Sequence, residues 1–282
     1  MIAITGASGH LGKATLEFLT DKTSPDSLVA IVRDPQKAAN LAKQGVHVRQ
    51  GDYNDSASLV ASLTGVDKLV LISSSVTGDE RVRQHANVIN AAKEAGVNHV
   101  FYTSAPNPSP NALFTPAIDH FQTENLLKES GLTYTFFRNN LYLDVLPMVI
   151  GSAAESGQLP FPAGDGKVSF VLRSDIAEGL ANALTSDGHE NKTYEIGAPT
   201  AWSFTAIADV LSQSGKSVKY IDIPGSAYEA ELSKHLPAPV VKVYTGMAEA
   251  IKHNDFNQPD PTLEKLLGRS LVSLPQFLQS MA

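Results

Sequence analysis

The sequence predicts an α/β protein: a doubly wound parallel sheet covered by helices on both faces, with a small C-terminal α/β lobe. Three observations carry this. Through the first 140 residues, short runs rich in Val, Ile and Leu alternate with stretches of helical periodicity. Those runs are continuously apolar rather than alternating, as strands buried on both faces must be. Beyond about residue 140 the alternation loosens into segments rich in Pro and Gly.

The elements follow in order. Residues 2–5 form a first strand and lead into Gly6, Gly9 and Gly12. The helix after them sets Leu11, Ala14, Thr15, Phe18 and Leu19 on one face, the spacing of an amphipathic helix. A strand at 28–32, a helix from Pro35, a strand at 46–50 and a helix over 56–63 come next. Then come a strand at 68–75, a helix through 85–96 and strands at 99–104 and 133–138. Residues 159–170 read as loop plus short strand, 193–197 as a strand and 216–224 as a strand outside the regular alternation. Helical segments near 226–236, 240–253, 262–268 and 273–280 close the chain.

Composition bounds the partners. The 282 residues suffice for one large α/β domain or a large domain with a lobe, and 43% hydrophobic residues fill a sizeable core. With 22 Lys+Arg against 29 Asp+Glu the net charge is −7, and no basic stripe offers nucleic acid a footprint. There is no cysteine, which excludes disulfides and thiolate chemistry and suits the cytoplasm. The N-terminus lacks the basic region and cleavage site of a signal peptide. No run approaches the ~18 apolar residues of a membrane span.

The spacing Gly6-x-x-Gly9-x-x-Gly12, after a strand and opening a helix, points to dinucleotide binding. Gly6 permits the tight turn, Gly9 lets backbone approach a pyrophosphate at the helix N-terminus, and Gly12 allows close packing of helix on strand. The end of the second strand selects the cofactor. NAD sites place an acid there, whereas this chain has Arg33, whose guanidinium matches a 2′-phosphate, with Lys37 one turn on. Asp34 before Pro35 reads as a helix cap with Pro at the first position. NADP(H) is therefore the expected cofactor, the alternative being that Arg33 is an ordinary exposed arginine.

The segments TGASGHLG, AIVRDPQKA, VRQGDYND, LISSS, HANVINAAKEAGV, YTS, FRNNLY and GHENKTYEI together resemble the NmrA-like group of atypical short-chain dehydrogenases. Within it they are most similar to the bacterial NADPH:quinone oxidoreductases of type 2 and the triphenylmethane reductases. The resemblance implies a Rossmann-like NADP-binding domain over 1–140, with later strands within 165–200 returning to its sheet, and a smaller substrate lobe made mainly of 141–282. Carried over by position, Gly6, Ala7, Ser8, Gly9, His10, Leu11 and Gly12 hold the pyrophosphate, and Arg33 and Lys37 the 2′-phosphate. Asp52 and Tyr53 flank the adenine, unless Asp52 simply ends its strand. Ser73, Ser74, Ser75 and Thr103 approach the cofactor at the carboxyl edge, although serine-rich strand ends are also common turns. Asn139, Asn140 and Tyr142 form the nicotinamide and substrate wall, or else a polar connection into the lobe, and Arg138 just before them is a further cofactor-binding candidate.

Typical short-chain dehydrogenases carry Tyr-x-x-x-Lys, whose lysine lowers the tyrosine pKa so that the phenol moves a proton. None of the eight tyrosines here has lysine four residues on. The helix after the fifth strand instead offers His120 and Glu124, either a proton donor or substrate contact at His120, or merely a surface pair. His120 and Tyr142 are thus the candidate catalytic residues. The histidines show no metal-ligand spacing, so no metal is expected. The missing pair disfavours ketone reduction and nucleotide-sugar epimerisation, both of which need strong proton transfer. It suits hydride transfer to quinones or similar electron-poor acceptors, where positioning suffices. The alternative that the resemblance allows is an NADP(H)-sensing regulator without turnover. The expected partner is a small-molecule acceptor, and the oligomeric state is open, a homodimer among the options.

Overall fold

The computed structural model of the protein describes residues 1–213 and 215–281. The first half is regular: β1 (Ile2–Ile4), α1 (His10–Thr20), β2 (Leu28–Val32), α2 (Ala39–Lys43), β3 (His47–Gln50), α3 (Ser56–Leu63), β4 (Lys68–Leu71), α4 (Asp79–Glu94), β5 (His99–Ser104), α5 (Pro116–Ser130) and β6 (Thr133–Asn139). The second half runs α6 (Leu146–Ile150), α7 (Ala153–Ser156), β7 (Gln158–Pro160), β8 (Lys167–Val168), α8 (Arg173–Leu184), β9 (Lys192–Ile196), β10 (Trp202–Ser203) and α9 (Phe204–Ser212). It ends with β11 (Lys219–Ile221), α10 (Gly225–Leu232), α11 (Ala238–Lys252), α12 (Thr262–Leu267) and α13 (Leu274–Gln279).

Seven strands form one sheet in the order β3-β2-β1-β4-β5-β6-β9, parallel at every pairing. The order reverses between β1 and β4, which opens a crevice at the carboxyl ends of these strands, where α/β sheets bind ligands. On one face Leu16 and Leu19 of α1 and Ile176, Leu180 and Leu184 of α8 pack over Ile4 and Phe137. On the other, α3, α4 and α5 bring Leu59, Val88 and Leu127 against Leu69, Tyr102 and Phe136. A separate core fills the lobe, where Phe161 stacks on Phe204 at 4.4 Å beside Leu159, Ile207 and Ile251. Each large side chain removed from water this way contributes roughly 1.5–3 kcal/mol.

Several boundaries depart from the sequence expectation. The fourth strand ends at Leu71 instead of running to 75. Its continuation leaves the ladder because the backbone N–H groups donate to side chains: Ile72 to Thr5 Oγ1, Ser73 to Thr103 Oγ1 and Ser74 to His85 Nε2. Helix α4 starts six residues early, with Asp79 and Glu80 complementing its first-turn N–H groups. The helix from Pro35 is a single 3₁₀ turn over Pro35–Ala38 followed by the short α2. Within 165–200, β9 joins the sheet but β8 does not, pairing antiparallel with β10 instead. The chain entering β8 packs directly on α11, where any Cβ at Gly166 would lie 2.0 Å from the Ile251 carbonyl oxygen. Helices α8 and α9 are absent from the sequence reading altogether.

Candidate functional site

The glycine turn lies at the carboxyl edge of β1. Gly6 has φ +58°, the left-handed region that glycine occupies without strain. A Cβ at Gly12 would lie 2.6 Å from the Gly6 carbonyl oxygen, so only glycine lets α1 start this close to the turn. Gly9 caps α1 without a side-chain hydrogen bond, and Ser8, Gly9 and His10 are exposed. The N–H groups of His10, Leu11 and Gly12 in its first turn have no hydrogen-bond partner among the described residues, as an anion cradle requires. Ala7 and Leu11 turn their side chains into the core and present only backbone.

Across the crevice, Arg33 and Lys37 are exposed beyond β2, and neither has an ion-pair partner among the described residues. Asp34 Oδ1 accepts the Gln36 N–H at 3.0 Å, so this carboxylate is engaged as a cap. Asp52 likewise accepts the Asn54 N–H at 2.9 Å and closes a turn. Tyr53 differs from the sequence expectation. Its phenol points inward, 2.6 Å from Thr5 Oγ1 and 2.7 Å from the Ile72 carbonyl, where it braces β1 against β4. Burial pushes that phenol far above its usual range.

A cavity of about 460 Å³ lies between the ends of β4, β5 and β6 and the lobe. Its walls are mainly apolar: Val76, Phe114, Leu141 and Val145, with Pro239, Val240, Val243 and Tyr244 of α11 as a roof. Ser73, Ser75, Ser104, Arg81, His120, Asn139, Asn140 and Tyr142 bring the polar groups. Asn139 is buried, yet neither its amide nitrogen nor its amide oxygen has a hydrogen-bond partner among the described residues. Ser74 Oγ, after the end of β4, is likewise buried and unpartnered. Such groups cost roughly 1–3 kcal/mol each when left unsatisfied, so a polar ligand that met them would gain that much.

Not every candidate serves the cavity. Asn140 donates from Nδ2 to the Phe256 carbonyl at 3.1 Å and accepts the Leu141 N–H at 2.8 Å, so its amide stitches β6 to the lobe. Arg138 turns away from the cavity. Nε and NH2 donate to Glu124 at 2.9 and 2.8 Å, and NH1 donates to Glu195 at 2.9 Å. Glu124 is buried and also accepts from Ser104 Oγ at 2.8 Å, so it pairs inside the protein rather than with His120 on a helix surface. Thr103 Oγ1 accepts the Ser73 N–H at 2.9 Å and shapes the edge. Tyr142 lies under Arg173, 5.0 Å from ring centroid to guanidinium. Burial raises its phenol pKa, while the Arg173 charge pulls the other way.

Sequence reasoning missed Arg81, His85 and Tyr102. Arg81 reaches the cavity from α4, held by Asp119 at 3.5 Å and by its Nε donating to the Val76 carbonyl. Placing the helix start at residue 85 hid it, since Arg81, His85 and Val88 share one buried helix face. Tyr102 Oη lies 2.6 Å from His120 Nδ1 in the floor. Burial, reinforced by Arg81, holds His85 down to about 3 and His120 well below the usual histidine range, so both rings stay neutral at pH 7. Among the described residues no group of three or more His, Asp or Glu is placed to hold a metal ion, and no helix is long and apolar enough to cross a membrane.

The model of the NmrA-like family matches residues 1–278. The chain belongs to the NmrA-like family. This NmrA-like protein is 39% identical to quinone oxidoreductase 2 of Escherichia coli, over all of this chain and 98% of that one. It is 33% identical to an NAD(P)H azoreductase of Xenophilus azovorans, again over all of this chain and 98% of the relative. Among solved structures, the NADPH complex of the E. coli NADPH-dependent quinone oxidoreductase superposes with a TM-score of 0.95, covering 100% of this chain and 99% of that one. Triphenylmethane reductase of Citrobacter sp., complexed with NADP(H), superposes at 0.94 with 35% identity and full coverage of both chains.

Proposed function

We propose that this NmrA-like protein is an NADPH-dependent oxidoreductase that passes a hydride to quinones or similar electron-poor conjugated acceptors. The observation that carries this is the mainly apolar cavity at the end of the sheet, bordered by the unpartnered Asn139 amide and lacking the Tyr-x-x-x-Lys proton donor. The residues fit the cofactor. The uncapped N-terminus of α1 suits a pyrophosphate, Arg33 and Lys37 suit a 2′-phosphate, and Asn139 and Ser74 offer polar atoms for a carboxamide and ribose at the crevice end.

NADPH supplies a hydride from C4 of its nicotinamide. The chain's own part is positioning and exclusion of water. Phe114, Val240 and Tyr244 hold a planar apolar acceptor against the sheet edge. Arg81 places a positive charge at the cavity wall, where it stabilises the oxyanion left on a reduced acceptor. His120 is too weak an acid when neutral to deliver a proton, and a hydroquinone anion does not need one to form. The negative net charge and cysteine-free composition favour a small-molecule partner and a cytoplasmic setting over nucleic acid.

The reading is tested by stopped-flow oxidation of NADPH with 1,4-benzoquinone, beside an acceptor panel of triphenylmethane dyes and aldehydes. Saturable turnover with quinone and little with aldehydes is expected. NADPH binding with no turnover above background would overturn the enzyme and favour a cofactor-sensing regulator.

A further inference from the structure

The hydrogen bonds beneath the cavity determine which nitrogen of His120 carries its proton. The backbone N–H of Ser74 can only donate and lies 3.0 Å from His85 Nε2. His85 Nε2 is therefore the acceptor, and this neutral ring carries its proton on Nδ1. That proton goes to Thr123 Oγ1 at 2.9 Å, because Thr123 spends its own hydrogen on the Asp119 carbonyl, also at 2.9 Å. Tyr102 Oη lies 3.5 Å from His85 Nδ1, which is already a donor and offers the phenol hydrogen nothing. Thr123 Oγ1 is also near the phenol, but it donates to the Asp119 carbonyl and makes no hydrogen bond of normal geometry with Tyr102, which leaves His120 Nδ1 at 2.6 Å. Tyr102 must donate there, since in the reverse arrangement its hydrogen would be buried without a partner, at a cost that folded proteins avoid. His120 Nδ1 accepts, and the proton of this ring resides on Nε2.

We propose that Tyr102 is a positioning residue: it holds His120 as a neutral ring with Nε2–H turned to the cavity, a hydrogen-bond donor to the oxygen of the acceptor. The role toward the acceptor rests on the hydride-transfer reading above; the tautomer does not. His120 lines the cavity while Tyr102, His85 and Thr123 are fully buried behind it, so the donor is held by a scaffold that solvent does not reach. The charged groups around it are Arg81 and Asp119, paired with each other, and Glu124, paired with Arg138. Arg81 and the His120 donor then face the same acceptor, one as a charge and one as a directed N–H.

The experiment is NMR of the protein labelled with ¹⁵N-histidine, between pH 6 and 8 and without acceptor. Imidazole nitrogen shifts and two-bond couplings separate the two neutral tautomers from the cation, and the signal lost in His120→Gln assigns the ring. A neutral ring protonated on Nε2, turning into a mixture of tautomers in Tyr102→Phe, is expected. A ring protonated on Nδ1, a cation, or a Tyr102→Phe spectrum unchanged at His120 would overturn the lock. The wild-type spectrum alone decides the tautomer should Tyr102→Phe fold poorly. In kinetics, His120→Leu should lose about tenfold or more in kcat/KM for quinone, the scale of a donor to a charged oxygen. His120→Gln, whose amide keeps an N–H near the Nε2 position, should recover most of it, with NADPH Kd unchanged in both. Equal loss in Leu and Gln variants would overturn the donor role while leaving quinone reduction by the wild type standing.

Discussion

Replacing Arg138 by Met separates a cofactor contact from a structural ion network. Arg138 is a cofactor-binding candidate by its place in the sequence; the fold turns it onto Glu124 with two charge-assisted hydrogen bonds, at 2.9 and 2.8 Å, and onto Glu195 with a third at 2.9 Å. Glu124 is 1% exposed. Losing the guanidinium leaves that carboxylate with the Ser104 hydroxyl at 2.8 Å and the Lys128 ammonium at 3.6 Å. Breaking one side of a buried pair costs about 3–5 kcal/mol, and the retained Lys128 sets the expectation at the low end, about 3 kcal/mol. For a chain of this size that lowers the melting temperature by roughly 6–12 °C. Thermal unfolding followed by circular dichroism measures it, and a fluorescence titration of NADPH runs alongside. The expected result is a clear loss of stability with the NADPH Kd held within about threefold, under 0.7 kcal/mol. A melting temperature within about 2 °C of wild type, or NADPH binding weakened by about tenfold or more, would refute the structural assignment.

Arg33→Ala should weaken NADPH by roughly 1.5–3 kcal/mol, about 10- to 150-fold, and leave NADH nearly untouched, because the exposed guanidinium supports nothing in the fold. Equal losses for both cofactors in calorimetric titration would remove it as a 2′-phosphate ligand. Stability should be full above about pH 7 and fall on acidification. His85, held down to about 3, and His120, held well below its usual range, refuse protons that the unfolded chain takes up near 6.5. Each costs about 1.4 kcal/mol per pH unit below that point, so a melting temperature flat from pH 7.5 to 5.5 would contradict the burial argument. Arg81→Met should shift the kcat/KM ratio toward cationic triphenylmethane dyes over neutral quinones by about tenfold, near 1.4 kcal/mol, as the wall charge is removed. An unchanged ratio in the acceptor panel would show that Arg81 does not face the acceptor.

Much of the crevice is legible in the chain because its parts are local. Gly6, Gly9 and Gly12 sit in one turn, Arg33 follows its strand directly, and Asp34 before Pro35 announces its own cap. Helix α9 carries local signals of its own: Ser203 caps it through the Ala206 N–H, and Phe204, Ile207 and Leu211 keep helical spacing. Helix α8 was harder, since Gly179 in its middle reads as a breaker. The glycine is there because a Cβ would lie 2.6 Å from the Leu263 side chain that packs on the helix.

Side-chain direction is where local reading stops. Tyr53 and Arg138 sit at strand ends that border the crevice, yet one phenol turns under the sheet and one guanidinium turns to a pair of carboxylates. Periodicity states which face of an element is apolar; it does not state which polar atom across a gap will accept a hydrogen. The line from Ser74 through His85 and Thr123, with Tyr102 and His120 beside it, draws on the segment after β4 and on α4, α5 and β5, and needs distances near 3 Å between them. Those distances exist only after helices α4 and α5 have packed on the sheet. The class of fold, the glycine turn and the 2′-phosphate candidate thus follow from neighbours in sequence. The tautomer of His120, the pairing of Glu124 and the apolar roof from α11 follow from packing, because hydrogen bonds and ion pairs between distant segments form only when tertiary burial removes the competing water.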